Sequence, residues 1–201
     1  MEIVLIRHFP TKGNGLKQYI GRTDEPLDES AVDTILNGIG DIDVFYPKVD
    51  YIVTSPMRRC KQSAELLYPG VPAFSCEMLK ETDFGDFEGK TYEELKDNED
   101  YQRWLMNGAE GFVPNGESRA EFVSRCIDGF HDVMDKLCKM GVERVAIVVH
   151  GGTIMALMSE FAEEKQEFYY WQVKNGKGYV VHVDMARWKI GNKIFTDIRK
   201  L

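Results

Sequence analysis

The 201-residue chain is 43% hydrophobic and 29% charged, with a formal net charge of −8; that length suits one hydrophobic core, and the composition is too apolar for a disordered chain. The acidic balance excludes the dense cationic surface on which binding to nucleic acid or an anionic membrane relies, so an anionic substrate would require cations concentrated locally. Residues 1–9 already carry Glu2, Arg7 and His8, no apolar run is long, and Cys60, Cys76, Cys126 and Cys138 form no CxxC pair; a membrane span, a signal peptide and a zinc site are therefore not expected, and free thiols in a reducing cytoplasm are.

In chain order, the first element is "EIVLI" (2–6), a short Val/Ile-rich run of the kind buried in parallel sheets. "ESAVDTILNGI" (29–39) reads as a helix, "DYIVTSP" (50–56) as a second buried strand and "RRCKQSAELLY" (58–68) as a second helix. "KTYEELKDNEDYQRWLMN" (90–107) is helical but heavily charged, and "GAEGFVPNG" after it is loop chemistry. Together they predict a lid-like insertion at about 90–116 over one end of the sheet.

Residues 117–141 form the clearest helix, with Phe122, Val123, Cys126, Ile127, Phe130, Val133, Met134 and Leu137 in one stripe and Gly141 as its stop. "RVAIVVH" (144–150) is the third buried strand. Near the C-terminus "GYVVHVDMARWKI" and "KIFTDI" flank Gly191-Asn192, a two-residue hairpin signal. No repeat or linker divides the chain, so residues 1–201 are expected to form one α/β domain, its sheet parallel in the centre with an antiparallel edge.

In open α/β sheets ligands bind beyond the carboxyl ends of the strands. Three strand ends deliver Arg7, His8, Arg59 and His150 to that zone. A lone His closing an apolar run is usually structural, and an Arg at a helix start is usually solvated; their convergence is the informative feature. Guanidinium forks suit phosphate oxygens, a neutral imidazole is a competent nucleophile, and N–H groups of Gly151 and Gly152 at a helix start add anion donors.

Five blocks in order, "RHFPT", "SPMRRCKQSA", "LKETDFGDFEG", "PNGES" and "VVHGGTI", resemble the signature of the histidine phosphatases, the phosphoglycerate mutase superfamily. The resemblance implies a three-layer αβα sandwich with a mixed, mostly parallel central sheet and a small helical insertion. It implies a phosphomonoester hydrolase that needs no metal or cofactor and passes through a phosphohistidine. His8 matches the nucleophile, Arg7, Arg59 and His150 its phosphate pocket, and Glu81 the proton donor; Thr11 and Asn14 match further phosphate-side positions. Arg58 falls out of register and is expected on the surface. Glu88 is expected to be structural, and His131 and His182 to be non-catalytic. Tyr101, Trp104 and Phe112 belong either to the core of the insertion or to a substrate-facing lid.

The chain departs from the family pattern at Phe9 and Pro10, where Gly and an acidic or amide residue are usual; Phe9 is expected at the pocket mouth. Ser30 replaces a common glycine at a helix start. Phosphoglycerate mutases of the family resemble the chain in the catalytic blocks but carry a longer insertion. A catalytically silent binding module would be expected to have lost one of the five central residues. "YIGRTDEPL" (19–27) and the insertion resemble the α-ribazole phosphatase type, which implies a small phosphorylated metabolite as partner and places Tyr19 and Arg22 on the substrate side. Neither nucleic acid nor membrane is an expected partner, and a homodimer is compatible with the sequence. The need for a neutral imidazole predicts that hydrolysis falls at acid pH.

Overall fold

The three apolar runs lie side by side in the computed structural model, which describes residues 1–36 and 45–201. The elements are β1 (Glu2–Arg7), α1 (Lys12–Gly15), α2 (Glu29–Leu36), β2 (Tyr51–Thr54), α3 (Arg58–Leu67), β3 (Ala73–Ser75), α4 (Tyr92–Leu95), α5 (Glu99–Met106), α6 (Arg119–Met140), β4 (Arg144–Val149), α7 (Gly151–Phe161), β5 (Gly178–His182), α8 (Met185–Lys189) and β6 (Thr196–Lys200). Single 3₁₀ turns occupy Glu77–Leu79, Gly85–Phe87 and Phe168–Trp171. The sheet runs β3-β2-β4-β1-β5-β6. Its first four strands are parallel, β5 is antiparallel to β1, and β6 is antiparallel to β5. The last residues of the helix expected over 29–39 lie outside the described residues.

Because side chains alternate along a strand, β1 feeds two cores. Ile3 and Leu5 pack with Phe130 and Leu137 of α6 and Leu157 of α7. Val4 and Ile6 pack on the other face with Cys60 and Ala64 of α3. All four β1 side chains are fully buried, which is the three-layer arrangement with helices on both faces. On α6 the stripe read from the sequence faces inward, Ser118 and Glu121 close a capping box at its start, and Gly141 ends it at φ 69°. Asp28 caps α2, accepting from the backbone N–H groups of Ser30 and Ala31.

Two expectations are corrected. The charged segment 90–107 is two helices, because Asn98 accepts a hydrogen bond from the Tyr101 N–H and starts α5 afresh. At the C-terminus, β5 and β6 do pair antiparallel, but no two-residue hairpin joins them. The Asp184 carboxylate caps the N–H groups of Ala186 and Arg187, so "MARWK" coils into α8 and buries Trp188, while Gly191 turns the chain behind it at φ 91°. A local cap here outcompetes strand alternation. The short β3 carries no apolar run and is not evident in the sequence.

The insertion holds its own small core of Phe87, Leu95, Tyr101, Trp104 and Val113. Tyr101 is therefore core, Trp104 serves both that core and a neighbouring cavity, and Phe112 is exposed. No helix among the described residues is long and apolar enough to cross a membrane.

The aromatic cluster beneath the sheet gives the first prediction. Phe130 is fully buried, with its ring 5.2 Å from Phe161, 5.5 Å from Phe195 and 5.7 Å from Trp188. Phe130→Ala should destabilise the protein by about 3–5 kcal/mol, read as a lowered urea midpoint with an unchanged slope.

Candidate active site

β1 delivers Arg7 and His8 to the carboxyl edge, and the pairing with β4 continues one residue further through the His8 N–H to the Val149 carbonyl, 2.9 Å. A segment far along the chain grips this end. Val173 O accepts from Arg7 Nη1 at 2.8 Å, Asn175 Nδ2 donates to His8 O at 3.0 Å, and the Gly176 N–H donates to Arg7 O at 3.0 Å. His8 Nδ1 stands 2.6 Å from the Phe9 carbonyl. A carbonyl only accepts, so Nδ1 carries the proton and Nε2 keeps its lone pair.

Phe9 is not at the pocket mouth. It is 1% exposed, its N–H donates to Ser63 Oγ at 2.9 Å, and its ring fills the space over Gly176, where an added Cβ would come within 2.9 Å of it. Phe9 is absent from the positive-φ residues, so the position does not demand glycine.

Arg59, at the start of α3, is 0% exposed. It donates from Nη2 to Gly21 O and from Nη1 to Thr23 O, each at 2.7 Å, and from Nε to His150 Nδ1 at 3.3 Å. Since the guanidinium only donates, His150 Nδ1 is bare and its Nε2–H donates to Ser55 Oγ, 2.7 Å away. The His8 and His150 rings meet edge to face with centroids 5.3 Å apart. Burial, then the Arg59 charge and less strongly that of Arg7, bring His8 down to about 3 against a partial offset from the Phe9 carbonyl. His150 is also held well below the usual imidazole range, first by burial and then by Arg59. An acid limb set by His8 therefore lies near pH 3, much lower than an ordinary imidazole would place it.

Glu81 reaches the start of α7, where Oε2 accepts from the Gly152 N–H at 3.0 Å and Oε1 from the Thr82 N–H at 3.0 Å. Gly152 is needed for this approach, since a Cβ there would lie 2.2 Å from Glu81 Oε1. Arg7, Asn14, Glu81, Gly151 and Gly152 line a cavity of about 410 Å³. Its wall is aromatic, built from Tyr19, Phe84, Trp104, Phe122, Phe168 and Tyr169. His8, Arg59 and His150 lie buried beneath rather than in the lining.

The other expected residues divide. Asn14 Oδ1 accepts from the Thr11 N–H at 3.3 Å and from Asn175 Nδ2 at 3.2 Å, which orients its amide with the NH₂ group left for a ligand. Thr11 is buried and spends its hydroxyl capping α1, away from the cavity. Arg22 pairs with Asp83 at 2.9 Å, is largely exposed, and borders a shallower neighbouring depression. Arg58 is exposed. Glu88 accepts from the N–H groups of Gly21, Arg22, Thr23 and Phe84, fixing the loop whose carbonyls hold Arg59. His131 packs against Phe161 and Trp188 and His182 is exposed at the end of β5; neither lines the cavity.

Asn175 and Arg119 were missed by sequence reasoning. The Asn175-Gly176 turn signal marks the first. The second has no local signature: Arg119 sits 4.8 Å from both the Phe168 and the Tyr169 ring centroids and pairs with Glu110 at 2.9 Å, tying the insertion to the opposite rim. Among the described residues no cluster of His, Cys, Asp and Glu has the arrangement to hold a metal ion.

Residues 3–193 match the family described as the histidine phosphatase superfamily (branch 1). The chain is 28% identical over 190 residues to the Bacillus subtilis protein named "Uncharacterized phosphatase PhoE", with 94% of this chain and 91% of that one covered. It is 27% identical over 172 residues to "Probable phosphoglycerate mutase GpmB" of Cronobacter sakazakii, covering 79% and 74%. Among solved structures, an α-ribazole phosphatase from Shigella flexneri superposes with a TM-score of 0.80 over 100% of this chain and 96% of that one; at 24% identity the likeness is one of fold.

The two neutral imidazoles carry a stability prediction. In the unfolded chain each binds a proton near pH 6.5, whereas folded His8 waits until about 3 and His150 stays well below its usual range. The unfolded state thus holds more protons across that window, so stability is full above pH 6.5 and falls as pH drops, by about 1.4 kcal/mol per pH unit per histidine. In urea unfolding at pH 7 and pH 5, His8→Gln should lose about 2 kcal/mol less than the wild type; equal losses would contradict the neutral burial of His8.

Proposed function

The chain belongs to the histidine phosphatase superfamily, and on that premise we propose that it hydrolyses phosphomonoesters through transient phosphorylation of His8. The observation that carries the reading is the state of His8: neutral, with its proton on Nδ1 and the lone pair on Nε2, inside a cationic surround. No base is needed to activate it. Nε2 attacks phosphorus, the ester oxygen departs with a proton from Glu81, and water then attacks the phosphohistidine while giving a proton back to Glu81.

The transferring phosphoryl spreads charge over three oxygens, so positioned cations and dipoles do most of the work. Arg7 Nε is buried and has no hydrogen-bond partner among the described residues. With the Asn14 NH₂ group and the Gly151 N–H at the start of α7, it supplies donors where those oxygens would lie.

The aromatic wall supports a substrate with a flat apolar body, and among such monoesters the sequence resemblance favours α-ribazole 5′-phosphate. A phosphoglycerate, with a second anionic group, would find one further cation in the lining, Arg119, and that guanidinium is already engaged by Glu110 and by the carbonyls of Gly108 and Ala109. This favours a phosphatase over a mutase.

p-Nitrophenyl phosphate should be turned over with EDTA present, and His8→Ala should lower kcat at least about a thousand-fold. Undiminished turnover by the variant would remove His8 from the reaction. In a comparison of kcat/KM over α-ribazole 5′-phosphate, 3-phosphoglycerate, sugar phosphates and nucleoside monophosphates, the first should rank highest. Preference for any monoester without a ribazole moiety would overturn the substrate assignment and leave the role of His8 standing.

A further inference from the structure

Arg125 lies on α6 outside the cavity lining, and no step described above uses it. All five of its N–H donors are nevertheless committed. Nε and Nη2 clasp the two carboxylate oxygens of Glu117 at 2.8 and 2.7 Å. Nη1 donates to the carbonyls of Met78 at 2.7 Å and Lys80 at 3.2 Å, and Nη2 also donates to the carbonyl of Glu81 at 3.3 Å. Three carbonyls within four consecutive residues turn toward one cation, and Glu117 fixes that cation's plane. With its carbonyl tied to α6, Glu81 extends its side chain to the Gly152 N–H on α7.

We propose that Arg125, clamped by Glu117, is the positioning residue for the Glu81 carboxyl; the inference rests on the proton-donor role proposed for Glu81. Lysine cannot replace it, because an ammonium offers a point charge and three donors where this site uses a planar fork of five. A carboxyl displaced by about an ångström transfers its proton poorly, at a cost of up to about a hundred-fold. That loss should appear where the leaving group needs a proton.

The test compares wild type, Glu81→Gln, Arg125→Gln, Arg125→Lys and the double variant Glu81→Gln/Arg125→Gln on p-nitrophenyl phosphate, whose leaving group departs as an anion, and on propyl phosphate, whose leaving group does not. kcat/KM is the readout because it includes the step in which the leaving group departs. Glu81→Gln should lose about a hundred-fold or more on propyl phosphate and only a few-fold on the nitrophenyl ester. Both Arg125 variants should show the same selective pattern at about ten- to a hundred-fold, and the double variant should be no worse than Glu81→Gln on propyl phosphate. Equal losses on both esters in the Arg125 variants, alongside a selective Glu81→Gln, would overturn the positioning role alone. Equal losses in Glu81→Gln would instead remove Glu81 as proton donor, and the inference with it. If Arg125→Gln does not fold, Arg125→Lys carries the comparison.

Discussion

The molecule is arranged around a guanidinium with no exposed surface. A buried charge is tolerable only when its donors are satisfied, and removing one of its partners typically costs about 3–5 kcal/mol. Arg59 has one acceptor for each of its three nitrogens, two loop carbonyls and the bare nitrogen of His150. That requirement propagates: the loop offering Gly21 O and Thr23 O is pinned by Glu88, and Gly21 can only be glycine, since a Cβ would collide with Thr82 O at 1.7 Å. His150 must stay unprotonated at Nδ1 to accept from Arg59, which fixes its tautomer and its bond to Ser55.

The same cation shapes the chemistry. A protein of net charge −8 assembles Arg7 and Arg59 around two imidazoles that burial already keeps neutral, and the field that would draw in a phosphate adds to that effect. The proposed nucleophile and the anion pocket are therefore one electrostatic object. Glu81, the proposed proton donor, lines the cavity and accepts from the Gly152 N–H at the start of α7.

Much of this was legible in the sequence because it rests on local pattern. Continuous Val/Ile runs mark strands buried on both faces, the α6 stripe has helical period, and three strand ends bring Arg7, His8, Arg59 and His150 together by the geometry of open sheets alone. What escaped depends on competition or distance. The Asp184 cap defeated the hairpin signal at Gly191-Asn192, and Asn98 cut one charged helix into two. Phe9 looked like an obstruction because its partner, Gly176, is 167 positions away. Arg119 and Arg125 could not be distinguished by type or spacing from solvated arginines on a helix, since what marks them is the carbonyls and rings they meet.

The placement of β1 has a consequence for how the chain comes into being. Its two sheet neighbours are β4 and β5, residues 144–149 and 178–182, so this apolar segment pairs only with strands synthesised much later than itself. At 5–20 residues per second that interval is on the order of ten seconds or more, during which "IVLI" has no strand to join. The contacts that complete the site, from Val173, Asn175 and Gly176 back to Arg7 and His8, close loops of more than 160 residues, a separation that slows folding. The residues that hold His8 in place are thus synthesised long after it, and a nascent chain carries that histidine well before it has a pocket.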